Sequence, residues 1–252
     1  MIRHGARALL PALALLAAGV QAEPAPILGW RVVAAHPHDP QAFTQGLLMY
    51  QGRLYESTGL RGRSQLRIVE PASGRVTLRR NLEPRLFGEG LARVDDRLYQ
   101  LTWQSGLGFI HRVSDLARVG QFRYPGEGWG LAYDGRRLLM SDGSASLRIV
   151  DPDGFRELSR LPVHDDGVPV GNLNELEYVR GELFANVWRT DRIARIDPGS
   201  GRVTGWLDLG GLPGPAAAGA GVLNGIAWEP GTHRLWITGK LWPRIFVITL
   251  DP

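Results

Sequence analysis

Cysteine is absent from this sequence of 252 residues, and only one of its 29 basic side chains is a lysine, Lys240. Without cysteine the protein has no disulfide bonds, no lipid attached through a thiol and no zinc–thiolate site. The GxSxG and HExxH motifs are also missing, which argues against the hydrolases that depend on them. The fold is therefore expected to be held by packing and strand pairing alone.

The sequence also lacks a large net charge and long apolar runs. The formal net charge is only +4, and the arginines are scattered on the polar sides of predicted strands. This pattern is typical of solvated strand faces, so no nucleic-acid partner is expected. The apolar stretch Ala8–Gly19 is too short for a comfortable membrane span.

The N-terminal residues have the features of a secretory signal. Arg3 and Arg7 supply positive charge, the apolar stretch follows, and Val20-Gln21-Ala22 offers a small-residue cleavage site. We expect a signal peptide over residues 1–22, cleaved after Ala22. The mature domain, residues 23–252, is then periplasmic or secreted and has no membrane span. An uncleaved anchor is the alternative.

One unit recurs five times along the chain. Each copy opens with a polar or aromatic residue and continues into two short alternating runs separated by a turn, which predicts a β-hairpin. In four copies a third strand, a turn rich in Pro and Gly, and a fourth strand follow. Spacings of 44, 40, 45 and 50 residues predict propeller blades whose opening residues converge on one axis. The opening residues are Gln45, Glu89, Trp129, Asn174 and Asn224.

The fifth unit lacks a fourth strand, while an unmatched strand-like run, Leu28–Ala35, lies near the other end. Pairing this run with the last strand completes the blade, whereas an extended arm is the alternative. The predicted fold is all-β: a five-bladed β-propeller closed by an N-terminal strand that completes the last blade. A monomer is expected, because a closed ring leaves little exposed edge.

Two segments are predicted to be long loops. Pro213–Gly221 is of low complexity and lacks the Lys and Ser/Thr of a phosphate-binding loop, so we interpret it as a flexible connection. Leu161–Gly171 precedes the fourth unit. Long loops on one face of a propeller often shape its pocket.

Glu89 and Lys240 are the charged candidates for chemistry. Glu89 lies between two glycines at the start of an innermost strand, where burial raises a carboxyl pKa toward a useful acid/base value. Equally, it could bind neighbouring backbone amides. Lys240 follows the last inner hairpin and could stabilise an oxyanion, or it could be a solvated turn residue. Its status as the one lysine slightly favours a specific role.

Aromatic and amide side chains form the second candidate group. Trp103, Trp129 and Trp188 either line an apolar pocket or pack between blades. Gln45, Asn174 and Asn224 either donate hydrogen bonds to a carbonyl or tie strands together. The sequence His36-Pro37-His38-Asp39 looks metal-like, but it has no partner cluster, so a turn is the favoured interpretation and no metal is predicted.

The ordered motifs from about Trp30 to the C-terminus resemble the plant-type glutaminyl-peptide cyclotransferases (glutaminyl cyclases), which also occur in bacteria. The family is a five-bladed propeller. One departure is Val247, where the resemblance predicts an acidic residue. The motifs that carry the resemblance include AFTQGL at 42–47, FGEG at 87–90, EGWGL at 127–131, LNELE at 173–177, NVWRTD at 186–191 and TGKLWP at 238–243.

The resemblance implies a reaction in which an N-terminal glutaminyl residue attacks its own side-chain amide, releasing ammonia and forming pyroglutamate. It assigns the role of general acid/base to Glu89, and it needs no metal or cofactor. Its partners are peptides or proteins with N-terminal Gln. The donors to the oxyanion are Gln45, Asn174 and Lys240. The implied substrate-binding residues are Phe43, Trp103, Trp129, Glu175, Trp188 and Asn224.

Other functions remain open on the residues alone. A non-catalytic propeller could bind a peptide or envelope component in the same channel, although the presence of Glu89 and Lys240 favours an enzyme. A propeller quinoprotein or lactonase needs a metal site with several carboxylates, and the channel positions here are mostly amides and tryptophans. A structural Ca²⁺ in a loop would not carry the chemistry.

Overall fold

All regular secondary structure in the described part of the chain is β-strand. The structure is a computed structural model that describes residues 23–212 and 219–251. The predicted signal peptide, residues 1–22, and most of the predicted loop at 213–221 lie outside the described residues. No helix among the described residues is long and apolar enough to cross a membrane.

The strands form five antiparallel four-stranded sheets, the blades. Strand β1 (Trp30–Pro37) precedes the first blade, which consists of β2 (Thr44–Tyr50), β3 (Arg53–Thr58), β4 (Gln65–Val69) and β5 (Val76–Asn81). The second blade consists of β6 (Gly88–Val94), β7 (Arg97–Thr102), β8 (Leu107–Arg112) and β9 (Arg118–Arg123). The third consists of β10 (Leu131–Tyr133), β11 (Leu138–Met140), β12 (Ser146–Asp151) and β13 (Arg156–Pro162).

The last two blades follow a short two-stranded hairpin. The hairpin pairs β14 (His164–Asp165) with β15 (Val168–Pro169). The fourth blade consists of β16 (Leu173–Val179), β17 (Glu182–Val187), β18 (Arg192–Ile196) and β19 (Val203–Asp208). The fifth blade consists of β20 (Leu223–Glu229), β21 (Arg234–Gly239) and β22 (Arg244–Leu250), joined at its outer edge by β1.

The ring closes by pairing the two ends of the chain. Strand β1 pairs antiparallel with β22, from Trp30 opposite Leu250 to Pro37 opposite Arg244. This confirms the predicted five-bladed propeller and its closing strand. Beneath the closure, an apolar layer formed partly by Leu47, Trp236 and Val247 joins the first and fifth blades. Val247 is 1% exposed, so the apolar residue at this departure from the family pattern suits its position.

The segment Leu161–Gly171, predicted to be a long loop, contains the end of β13 and a short hairpin. Strand β13 continues to Pro162, and the β14–β15 hairpin then folds against the outer strand of the fourth blade. The Asp165 carboxylate accepts hydrogen bonds from the backbone N–H of Ala25 and from Nε1 of Trp206, each at 2.8 Å. These contacts explain why this stretch is ordered.

Glycine allows the inner strands to approach one another closely. A Cβ on Gly90 would lie 2.6 Å from the backbone nitrogen of Leu131 in the next blade, and Gly46 meets Leu91 in the same way. In four units a glycine directly follows the opening residue; the fourth unit has Glu175 instead. Because real Cβ atoms do not tolerate such contacts, these glycines are required by the narrow centre of the ring.

The opening residues lie at irregular strand starts. The register shifts between Thr44 and Gly46 in the first blade and between Gly88 and Leu91 in the second, with equivalent shifts in the fourth and fifth. A bulge changes the direction in which a side chain points. The inner strands therefore begin at one end of the propeller with their first side chains freed from regular sheet alternation.

Candidate active site

A cavity of about 460 Å³ opens at the end of the propeller where the inner strands begin. Its walls come from the segments before the inner strands and from the connections between second and third strands. Eight of the ten site residues predicted from the sequence meet here: Phe43, Gln45, Glu89, Trp103, Trp129, Asn174, Trp188 and Lys240. The remaining lining residues are Phe87, Arg189, Gly221 and Val222.

Glu89 lies at the base of the cavity and is 3% exposed. Its Oε1 accepts a hydrogen bond of 2.9 Å from Nε2 of Gln45. Its Oε2 is buried and has no partner among the described residues. Burial raises the pKa of Glu89 well above its usual value, and the positive charge of Lys240 only partly opposes this effect. A carboxyl group with one free oxygen and a raised pKa is suited to accept and return a proton.

Lys240 is the cationic member of the site and is 5% exposed. Burial lowers the pKa of its ammonium group to about 8, and the carboxyl group of Glu89 acts in the opposite direction. Two hydrogen bonds fix its backbone: its N–H donates to the carbonyl oxygen of Val222, and its carbonyl oxygen accepts from the N–H of Gly221. Its Nζ lies 5.0 Å from the ring centroid of Phe43, within cation–π range.

A chain of amide groups orients Gln45. Asn224 Nδ2 donates to the backbone carbonyl of Thr44 at 3.0 Å and to Oε1 of Gln45 at 3.2 Å. A carbonyl oxygen can only accept, so Thr44 defines which end of Asn224 carries the N–H groups. Asn224 in turn directs the Nε2 of Gln45 toward Glu89. Asn224 is 0% exposed and does not line the cavity, so its role is to orient Gln45.

Two consecutive residues of the fourth inner strand point to different places. Asn174 lines the cavity, and its Oδ1 has no partner among the described residues. Glu175 does not line the cavity. Its carboxylate accepts hydrogen bonds from the backbone N–H groups of Leu47 at 3.1 Å and Ile226 at 2.9 Å, joining three blades across the centre of the ring. The structure thus places Glu175 and Asn224 outside the pocket that the resemblance assigned to them.

The aromatic walls of the cavity form two groups of rings in edge contact. The rings of Trp129 and Trp188 meet edge to face with centroids 5.4 Å apart. Phe87 lies 5.6 Å from Trp103 and 5.9 Å from Phe43, again in edge contacts. Such contacts hold each ring against its neighbour, so the pocket has a defined apolar shape.

Glu127, which sequence reasoning did not select, holds two of these tryptophans. Its Oε2 accepts hydrogen bonds from Nε1 of Trp103 at 2.6 Å and Nε1 of Trp129 at 2.9 Å. Its Oε1 accepts one from Gln104 at 3.0 Å. Burial acts to raise the pKa of Glu127, but these hydrogen bonds outweigh it and leave the pKa lowered. An ionised carboxylate thus ties walls from two blades together.

The repeat contained a signal for some residues that were missed. Phe43, Phe87 and Val222 all lie two positions before the opening residue of their unit, and all three line the cavity. Aligning the units residue by residue would have found Phe87 and Val222. Arg189 and Gly221 lie in connections without such a pattern.

The metal-like sequence at residues 36–39 is part of the closure. His38 is buried, with Nδ1 2.8 Å from the carbonyl oxygen of Trp242 and Nε2 3.1 Å from Oε1 of Glu56. Arg67 donates to both Glu56 and Asp39. Within residues 23–212 and 219–251, no group of three or more His, Asp or Glu side chains is placed to hold a metal ion.

Comparisons with known proteins agree with this geometry. A family model described as "Glutamine cyclotransferase" matches residues 7–250. A glutaminyl-peptide cyclotransferase from Arabidopsis thaliana is 44% identical over an alignment of 226 residues that covers 87% of this chain and 70% of the relative. The crystal structure of Myxococcus xanthus glutaminyl cyclase superposes with a TM-score of 0.82 at 40% identity, covering 91% of this chain and 99% of that one.

Proposed function

The chain belongs to the glutamine cyclotransferase family and converts N-terminal glutaminyl residues of peptides to pyroglutamate, and we propose that Glu89 carries the proton transfers of this reaction. The observation that supports this role is the buried, unpartnered Oε2 of Glu89 at the base of a pocket with aromatic walls. The raised pKa of Glu89 brings the carboxyl group closer to the range in which an acid/base catalyst works best.

The first step forms the five-membered ring. The neutral α-amine of the substrate attacks the carbon of its own γ-carboxamide, and a C–N bond forms as the carbonyl electrons move onto oxygen. Glu89 in its ionised form accepts the proton that the amine loses. An oxyanion is thereby generated at the former carbonyl oxygen.

Three polar side chains that line the cavity can donate hydrogen bonds to that oxyanion: Lys240, Gln45 and Asn174. Lys240 supplies an ammonium donor that is only 5% exposed, and such a donor is more effective when it is buried than in water. Gln45 donates one Nε2 hydrogen to Glu89, and its second Nε2 hydrogen is available to the oxyanion. Asn174 contributes an amide whose Oδ1 can also accept from the substrate's nitrogen. We assign stabilisation of the oxyanion to these three residues as a group.

The second step releases ammonia. The oxyanion reforms the carbonyl, the bond from carbon to the original amide nitrogen breaks, and Glu89 returns its proton to that nitrogen so that NH₃ leaves. Glu89 is then ionised again for the next cycle. The rings of Trp103, Trp129 and Trp188 favour the folded conformer of the glutamine chain, which lowers the entropic part of the barrier.

The experiment that tests this proposal measures ammonia release from a Gln-initiated tripeptide, with mass spectrometry for the loss of NH₃ from the peptide. Wild-type protein should turn the peptide over, and Glu89→Gln should retain the fold while losing most of the turnover. Near-normal turnover by a folded Glu89→Gln protein would overturn the role of Glu89. No turnover by folded wild type, across several second residues, would contradict the activity itself.

We also propose that the protein is exported and acts as a monomer. Export is supported by the charged and apolar pattern of residues 1–22 and the small residues before position 23. The monomer is supported by ring closure and by the charged, exposed outer strand β13 (Arg156–Pro162), which disfavours edge pairing. N-terminal sequencing of protein from a periplasmic extract should begin at Glu23, and light scattering should give one chain per particle.

A further inference from the structure

Two exposed arginines stand over tryptophans at the mouth of the active-site cavity. The guanidinium carbon of Arg189 lies 4.3 Å from the ring centroid of Trp188, and that of Arg61 lies 5.7 Å from the ring centroid of Trp103. Trp188 and Trp103 belong to the fourth and second blades, on either side of Trp129 in the third. The two cations therefore flank the opening through which a peptide must enter.

The backbone conformation of Arg189 places this residue at the mouth of the cavity. It follows the wall residue Trp188 directly, lines the cavity, and has φ +66°, in the left-handed region that bulky residues rarely adopt. Leu60, which precedes Arg61, has φ +80°. Left-handed residues outside glycine often mark places where local strain serves a function. In both loops the unusual backbone lies at or next to the arginine at the mouth.

Neither guanidinium has a hydrogen-bond or ion-pair partner among the residues that the structure describes. Glu127, the carboxylate that holds Trp103 and Trp129, accepts hydrogen bonds from two indoles and an amide and forms no ion pair with either arginine. Asp142 is paired with the buried Arg148. Both guanidinium groups therefore remain available to a carboxylate of the substrate, because stacking on a ring face leaves the in-plane N–H groups unoccupied.

We propose that Arg61 and Arg189 form a subsite for the residues after the N-terminal Gln, which selects peptides with an acidic side chain at the second or third position. The inference rests on the proposed function. When the glutamine occupies the cavity, the next residues must leave through the mouth. In an extended peptide successive side chains point to opposite sides. One side of the mouth carries Arg61, and the other carries Arg189.

The test compares tripeptides Gln-Ala-Ala, Gln-Asp-Ala, Gln-Ala-Asp and Gln-Lys-Ala on wild type, Arg61→Gln, Arg189→Gln and the double variant. Arg136→Gln is the control, because Arg136 is an exposed arginine in the turn between β10 and β11, at the opposite end of the propeller. Wild type should show a lower KM for the acidic peptides, by about twofold to fivefold per arginine engaged, as expected for exposed ion pairs. The kcat should change little.

The preference should fall in each single variant, disappear in the double variant and weaken with added salt, while Arg136→Gln retains it. Equal KM values for acidic, neutral and basic peptides on wild type would overturn the subsite, as would an acidic preference that survives in the double variant. Calorimetric titration of the same peptides into Glu89→Gln gives a second readout that needs no turnover. Absence of ammonia release from Gln-Ala-Ala would instead count against the activity, so the two failures are distinguishable.

Discussion

Glu89 and Glu175 lie on inner strands of different blades, and both are almost fully buried, with 3% and 1% of their surface exposed. Burial raises the pKa of each well above its usual value. Their surroundings differ in one respect. Glu175 uses both carboxylate oxygens on backbone N–H groups of other blades, whereas Glu89 has one oxygen without a partner at the base of the cavity.

In the proposed mechanism, this difference separates a structural carboxyl group, Glu175, from a catalytic one, Glu89. A raised pKa alone marks both residues, and it would have marked Glu175 as a catalytic candidate. Of the two residues, only Glu89 combines a raised pKa with a carboxyl oxygen that has no hydrogen-bond partner and a position in the cavity lining. The free oxygen costs stability, because an unpaired buried polar atom is unfavourable. That cost is expected where a side chain must remain available for a reaction.

The largest expected effect is the loss of turnover in Glu89→Gln. Removing the proton acceptor should lower kcat by about 10²- to 10⁴-fold. The free energy of unfolding at pH 8 should stay the same or rise, because the variant no longer contains an ionisable group that is costly to bury. Steady-state kinetics and urea denaturation on the same preparation check both halves. A large loss of stability with normal kcat would show that Glu89, like Glu175, has a structural role.

Glu175→Gln should show the opposite pattern. Its amide would present an N–H₂ group to one of the two backbone donors, leaving a buried hydrogen-bonding group unsatisfied, at a cost of about 1–3 kcal/mol in the free energy of unfolding. Turnover per folded molecule should stay close to that of wild type. A kcat reduced as strongly as in Glu89→Gln, with stability unchanged, would show that Glu175 takes part in the chemistry.

The pH profile of Lys240→Arg tests the site around Glu89, because Lys240 lies beside Glu89 and not beside Glu175. The pKa of Lys240 is lowered to about 8 by burial, so wild type should lose its ammonium donor as the pH rises through that value. Arginine stays charged there. The ratio of kcat/KM for the variant to that for wild type should rise across pH 8, and the titration of the substrate's amine cancels from this ratio. A constant ratio would contradict the donor role of Lys240.

Glu177 offers the most specific test on the structural side, through the pH dependence of stability. Its Oε1 accepts a hydrogen bond of 2.7 Å from the N–H of Trp228, and burial raises its pKa from 4.5 to about 8. Between these values the folded protein holds a proton that the unfolded chain lacks, so stability should fall as the pH rises from 4.5 to 8. Urea denaturation should give a shallower pH dependence for Glu177→Gln. An unchanged slope would remove Glu177 as its source.

The repeat allowed most of the ring to be predicted, because each unit carries its own hairpin and turn signals. The same repeat located Glu89, Gln45 and the tryptophans. It could not distinguish Asn174 from Glu175, since strand bulges decide which of two neighbouring side chains enters the cavity. Glu127 occupies the same repeat position as Phe87 and Val222, but its role was missed because its partners Trp103 and Trp129 meet it only when two blades pack side by side.

The closing seam of the ring also divides the site. Gln45 lies on the first blade, and Lys240 lies in the connection between β21 (Arg234–Gly239) and β22 (Arg244–Leu250) on the last. The N–H of Leu241 donates to the carbonyl of Ala42 across that seam. A nascent chain therefore contains the proposed base, Glu89, and most pocket walls long before the proposed ammonium donor, Lys240, is synthesised. Competence for catalysis should emerge only when the last strand has been synthesised and docked, late in folding as for any pairing of distant segments.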